Sequence, residues 1–130
     1  MKKEEILNLI DEALEVREKA YAEYSKFKVG AILITSEDKK YKGVNVENKS
    51  YGLSMCAERN AIFSAVTDGM KKIKLMVLVG DTEKPITPCG ACRQVMSEFA
   101  DKDTRIVMSN LKKEYEVVTM KDLLPYAFEF

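Results

Sequence analysis

Residues 73–99 read I-K-L-M-V-L-V-G-D-T-E-K-P-I-T-P-C-G-A-C-R-Q-V-M-S-E-F. The stretch opens with eight residues that are apolar except for Lys74 and end in glycine, the pattern of a strand buried on both faces. A polar loop, D-T-E-K-P-I-T-P, follows. A helix is then expected from about Cys89 to Phe99, with Pro88 suited to a helix's first turn because its missing N–H costs nothing there. A buried strand feeding a helix through a loop is the unit from which α/β sheets are built. Two cysteines stand where that helix begins.

Working outward, Arg105–Ser109 and Tyr115–Val118 read as two further strands joined by Asn110-Leu111-Lys112-Lys113. A short helix near Lys121–Leu124 stops before Pro125, leaving the tail P-Y-A-F-E-F. Upstream, Met55 to about Asp68 has helical spacing, and Gly69 suits a left-handed terminator. Lys28–Thr35 and Tyr41–Val46 flank the turn Ser36-Glu37-Asp38-Lys39 as a hairpin. From Glu4 to about Ala22, apolar Ile6, Leu9, Ile10, Ala13, Leu14 and Tyr21 mark one stripe of a covering helix. The order α-β-β-α-β-α-β-β predicts a mixed five-stranded sheet with helices on its faces. The expected class is α/β, a three-layer α/β/α sandwich, with residues 1–130 as one domain.

Bulk composition narrows the partners. The 130 residues are 46% hydrophobic and 32% charged, with 21 basic and 21 acidic side chains. Zero net charge argues against a strongly electrostatic nucleic-acid binder. The N-terminal M-K-K-E-E-I-L lacks the apolar run of a signal peptide, and no stretch has the length of a membrane span. Three cysteines make no disulfide framework, so a cytoplasmic, thiol-reducing setting is expected.

The cysteines carry the chemistry. Cys89 and Cys92 share the first turn of one expected helix, and Cys56 begins another, with Ser54 as a candidate cap. At both helix starts the dipole favours thiolate. Two such ends can converge on one Zn²⁺ at Zn–S distances of roughly 2.3 Å. The chain has no histidine. A closed structural site needs a fourth ligand, which a carboxylate or a second chain would have to supply; a redox Cys-x-x-Cys or three unrelated thiols are the other readings. With three ligands and one open position, the arrangement is that of catalytic zinc, which makes hydroxide available near neutral pH. Arg59 and Arg93 stand beside the ligands, and either could donate to the sulfurs and offset their negative charge, Arg59 being the better placed. Glu58, in the first turn after Cys56, could move a proton beside the metal.

C-A-E at 56–58 and P-C-G-A-C at 88–92 resemble the signature of zinc-dependent nucleoside deaminases. Y-S-K-F-K-V-G-A at 24–31, G-V-N-V-E-N-K-S-Y-G at 43–52, C-A-E-R-N-A at 56–61, T-P-C-G-A-C-R-Q-V at 87–95 and L-L-P-Y-A-F at 123–128 resemble cytidine deaminases, in the same order along nearly the whole chain. The small homotetrameric three-cysteine form is the most similar. That resemblance implies one zinc per chain held by Cys56, Cys89 and Cys92, with Glu58 as proton shuttle. It implies that Asn45 and Glu47 hold the ribose 3′-hydroxyl, that Phe27 packs on the pyrimidine and that the Ala57 N–H contacts the base. Tyr51 and Phe128 would reach into a neighbouring subunit's site. The implied reaction is hydrolytic deamination of cytidine and 2′-deoxycytidine in pyrimidine salvage. The sequence departs from the pattern at Lys28, where proline is common, at Lys49, where a small residue is usual, and at Tyr126, which replaces a glycine. A deaminase of a modified cytosine nucleoside such as blasticidin S, and a zinc-stapled assembly module without activity, are the competing readings.

Overall fold

The computed structural model describes residues 1–129; Phe130, the last residue of the expected tail, lies outside them. In chain order the elements are α1 (Lys3–Arg17), β1 (Val29–Thr35), β2 (Lys40–Val44), a single 3-10 turn (Tyr51–Leu53), α2 (Ala57–Thr67), β3 (Ile73–Gly80), α3 (Gly90–Phe99), β4 (Arg105–Asn110), β5 (Tyr115–Thr119) and α4 (Met120–Leu123). The five strands form one sheet in the order β2-β1-β3-β4-β5. Only β3 and β4 pair in parallel, and α3 connects them, as a parallel connection requires; the other three pairs are antiparallel.

The central strands are mostly apolar because both faces are covered, with Lys74 near the start of β3 left exposed. On β3, Leu75, Val77 and Val79 pack with Ile32 and Val107 against Ile6, Leu9, Ile10 and Ala13 of α1. The alternate residues Met76 and Leu78 join Ala31, Leu33, Ile106 and Met108 under Ala61, Ile62 and Ala65 of α2 and Cys92 and Met96 of α3. The period of two along each strand thus divides the side chains between two cores, giving the three-layer α/β/α sandwich.

Two local features place α2. A Cβ on Gly43 of β2 would strike the Ala57 carbonyl and Ala61, so the glycine lets the helix lie directly on the strand. Asn60 then donates to the Val44 carbonyl at 2.7 Å, tying the helix to the end of β2. The helix stops where Gly69 takes φ 96°.

The first helix ends at Arg17, short of the expected Ala22. Tyr21 leaves the helical path because its backbone bridges to Val46: Tyr21 N donates to Asn45 O at 3.0 Å, and Glu47 N to Tyr21 O at 2.8 Å. Pairing with a distant segment overrides helical spacing here. The hairpin turn, the strands and α2–α4 lie within two residues of expectation. Among the described residues no helix is long and apolar enough to cross a membrane.

Candidate metal centre and active site

The N-termini of α2 and α3 meet beside the ends of β1 and β2, and each carries a cysteine as its capping residue: Cys56 for α2 and Cys89 for α3. Ser54 is therefore not the cap; its hydroxyl accepts from the Asn48 N–H at 3.2 Å and closes the preceding loop. Cys92, one turn into α3, is buried, Cys56 is half-buried and Cys89 is exposed. Cys92 N donates to Cys89 Sγ at 3.4 Å, so the thiol caps its own helix.

All three Sγ atoms lie within 4.8 Å of one another, and Cys56 and Cys89 are 3.8 Å apart. A disulfide needs about 2.05 Å. Tetrahedral zinc with Zn–S of 2.3 Å sets its sulfurs about 3.8 Å apart, so the spacing fits a shared ion. The charge arrangement fits too. Hydrogen bonding with Cys92, and then with Arg59 and Cys89, holds the Cys56 thiol down at about 5 against the opposing effect of burial. The Cys92 thiol is pushed up because it keeps the proton it shares with Cys56. Zn²⁺ would take that proton's place.

Arg59 Nη2 donates to Cys56 Sγ at 3.4 Å, and this bond raises the arginine's own pKa. Its Nε is buried without a hydrogen-bond partner. Arg93, the other candidate donor, turns elsewhere. Its Nε donates to Pro88 O and its Nη1 to Leu123 O, which turns the guanidinium towards backbone.

A cleft of about 450 Å³ opens over the sulfurs. Phe27, Asn45, Glu47, Tyr51, Cys56, Ala57, Glu58 and Cys89 all line it, so eight of the expected residues converge in one place. Glu58, in the first turn of α2, is only 4% exposed. Burial first, with some repulsion from Cys56, pushes its carboxyl up to about 7. A carboxyl with that pKa can both take and return a proton near neutrality.

Asn45 and Glu47 flank Val46 and point at the same segment, residues 24–29. Asn45 Oδ1 accepts from Val29 N at 2.8 Å, and its Nδ2 donates to Phe27 O at 2.8 Å. Glu47 Oε1 accepts from Tyr24 N and Ser25 N, both at 3.0 Å, and Oε2 accepts from the Ser25 hydroxyl. These donors, the Ser25 hydroxyl foremost, hold the Glu47 carboxyl below its ordinary value. Phe27 N in turn donates to Ser25 Oγ at 3.0 Å. The loop carrying Phe27 is thus clamped from below, with Lys26 held at φ 62°.

Ser25 is a residue that inspection of the sequence passes over. It lies inside the Y-S-K-F run two positions before Phe27, and no spacing rule marks it. Tyr51 lines the cleft of its own chain, with its side chain 59% exposed. Phe128 does not reach that cleft. It is 74% exposed and borders a separate cavity with Met120, Leu124 and Tyr126. Tyr126, where a glycine is usual, adopts φ 55°, a conformation that a glycine enters without steric cost.

Comparison with known proteins accords with this geometry. Residues 3–109 match the family model described as the cytidine and deoxycytidylate deaminase zinc-binding region. The chain is 46% identical over 120 residues to a cytidine deaminase of Halalkalibacterium halodurans, covering 92% of this chain and 91% of the relative. It is 46% identical over 124 residues to one of Sporosarcina psychrophila, covering 95% and 91%. The crystal structure of a cytidine deaminase from Burkholderia pseudomallei superposes with a TM-score of 0.91 at 48% identity, covering 98% of this chain and 100% of the other. Sulfur cluster, buried glutamate and matched residues lead to one conclusion: the chain belongs to the zinc-binding cytidine and deoxycytidylate deaminase family.

Proposed function

We propose that this chain is a zinc-dependent hydrolase that converts cytidine and 2′-deoxycytidine to uridine and 2′-deoxyuridine with release of ammonia, in the salvage of pyrimidines. The observation that carries the reading is a buried carboxyl, Glu58, whose pKa is raised to about 7 in a cleft it shares with Cys56 and Cys89. Held by Cys56, Cys89 and Cys92, zinc supplies the Lewis acidity that makes hydroxide available near neutral pH. Glu58 moves the protons: it passes a proton taken from the attacking water to N3 of the cytosine, which makes C4 electrophilic, and later carries the remaining hydroxyl proton to the departing amino group. Nitrogen leaves as ammonia and the oxygen of water stays on C4. The Ala57 N–H meets the base, and Phe27 packs on the ring.

The sugar end is supported by a count of free hydrogen-bonding positions. A carboxylate offers roughly four lone-pair sites and an amide nitrogen two donors. Glu47 uses three of its sites and Asn45 one of its donors on the loop. One acceptor and one donor remain on two residues that line the same cleft, which suits a hydroxyl that donates to Glu47 and accepts from Asn45. This favours a nucleoside with an unmodified sugar over blasticidin S.

The chain acts as one domain in the cytoplasm, and we infer that it assembles as a homotetramer. Phe63 and Val66, three residues apart on α2, are 45% and 40% exposed, and Leu53 is 71% exposed, apolar side chains that a neighbouring subunit would bury. In that assembly Tyr51 and Phe128 complete a neighbour's site. Sedimentation of the zinc-loaded protein tests the stoichiometry, and a monomer at micromolar concentration would refute it.

The activity is tested by the ultraviolet absorbance change on cytidine, 2′-deoxycytidine and blasticidin S, before and after zinc removal. Turnover of the first two, lost with chelator and restored by zinc, is the expected result. A zinc-loaded protein inert on all three would refute the enzyme and leave the assembly module.

A further inference from the structure

Arg93 lies in the first turns of α3, and its guanidinium joins two distant parts of the backbone. Nε donates to the Pro88 carbonyl at 2.9 Å, and Nη1 donates to the Leu123 carbonyl at 3.0 Å. Pro88 immediately precedes Cys89. Leu123 is the last residue of α4, whose terminal carbonyls have no partner inside that helix. Arg93's own N–H closes the first turn on Cys89 O at 3.0 Å. The arginine therefore grips the peptide on both sides of Cys89 and fastens it to α4.

Cys89 needs such a brace more than the other two cysteines do. Cys92 is buried on the core side of α3 and Cys56 accepts from Arg59, whereas Cys89 is exposed at the end of the 81–88 loop, its Sγ accepting from the Cys92 backbone N–H. We propose that Arg93 is a positioning residue for the metal centre: by bridging Pro88 and Leu123 it sets where Cys89 Sγ stands and so how firmly zinc is held. This rests on Cys89 being a zinc ligand. A planar fork is required, because lysine presents a point charge and cannot address two carbonyls set apart in the same manner.

The test uses zinc-loaded full-length protein and measures zinc transfer to a chromogenic chelator, well below the melting temperature. Wild type is compared with Arg93→Lys, Arg93→Met and a Met96→Ala control, a buried residue on the same helix that makes no hydrogen bond to the Pro88 or Leu123 carbonyl. Melting temperatures of the zinc-free forms are recorded alongside. Arg93→Met is expected to release zinc roughly 10–100-fold faster, the range for partners that orient a ligand, with Arg93→Lys between it and wild type. Met96→Ala is expected to lower the melting temperature without that acceleration. Wild-type release rates in both Arg93 variants, or equal acceleration in Met96→Ala at a matched melting temperature, would overturn the proposal. If Arg93→Met does not fold, Arg93→Lys against Met96→Ala decides it. A wild-type chain that holds no zinc would overturn the ligand assignment and this inference together; zinc held equally well without Arg93 overturns this inference alone.

Discussion

Replacing Glu58 by glutamine should abolish turnover and at the same time stabilise the metal-free protein at alkaline pH. The carboxyl is 4% exposed, and burial is the main cause of its rise from 4.5 to about 7. A group whose folded pKa lies above its unfolded value favours folding while protonated. That stability is complete below about pH 4.5 and is lost as pH rises through about 7. The gap between those values corresponds to roughly 3 kcal/mol, as an order of magnitude, at pH 8. Glutamine keeps the shape of the protonated acid without its titration. Chemical denaturation of zinc-stripped wild type and Glu58→Gln, at pH 5 and pH 8, measures the difference. The variant should gain about 2–3 kcal/mol more at pH 8 than at pH 5, while zinc-loaded Glu58→Gln loses roughly 10²–10⁴-fold or more in kcat. An equal effect at both pH values would refute the claim that Glu58 is held above its ordinary pKa by burial. Wild-type kcat would remove it from proton transfer.

Other perturbations address the supports of the site. Ser25→Ala removes one of the donors to Glu47 and the acceptor for Phe27 N; KM for cytidine should rise roughly tenfold, about 1.4 kcal/mol in binding, with kcat little altered. A fall in kcat at unchanged KM would contradict a role confined to binding. Gly43→Ala places a methyl against the Ala57 carbonyl and Ala61, so thermal or denaturant unfolding should show a loss of about 1–3 kcal/mol, together with weaker zinc binding as α2 is displaced. Full stability would mean that α2 shifts without cost. Arg59→Gln removes the hydrogen bond to Cys56 Sγ, and competition with a chelator should show roughly 10–100-fold weaker zinc retention; unchanged retention would make Arg59 a bystander.

How far the site could be read in advance depended on how local its determinants are. Cys56, Glu58, Cys89 and Cys92 were legible because three or fewer residues separate the members of each pair, and a helix start converts that spacing directly into convergence. The place of the two pairs relative to one another followed from helices that begin beside the same end of a sheet. Ser54 was misplaced as a cap because Cys56 takes the capping position itself. Arg93 stood as one of two candidate donors to sulfur from proximity in sequence, yet a long side chain at a helix start can swing to any carbonyl within reach, and Leu123, 30 residues away, captured it. Asn45 and Glu47 were singled out by resemblance for the sugar, but their hold on residues 24–29 was invisible, since the loop meets them only after folding.

By itself the sequence determined the element order, the two-faced central strands, the three sulfurs with their missing fourth ligand, and the carboxyl beside them. Periodicity and composition encode these, because burial and helix geometry act residue by residue along the chain. Only the tertiary structure decided that the first helix stops at Arg17, that Glu58 is buried deeply enough to titrate near 7, that Ser25 and Glu47 clamp the Phe27 loop, and that Arg93 serves backbone rather than sulfur. Each of these depends on a partner brought from a distant part of the chain or on the exclusion of water from a closed space, and neither exists until the layers have packed.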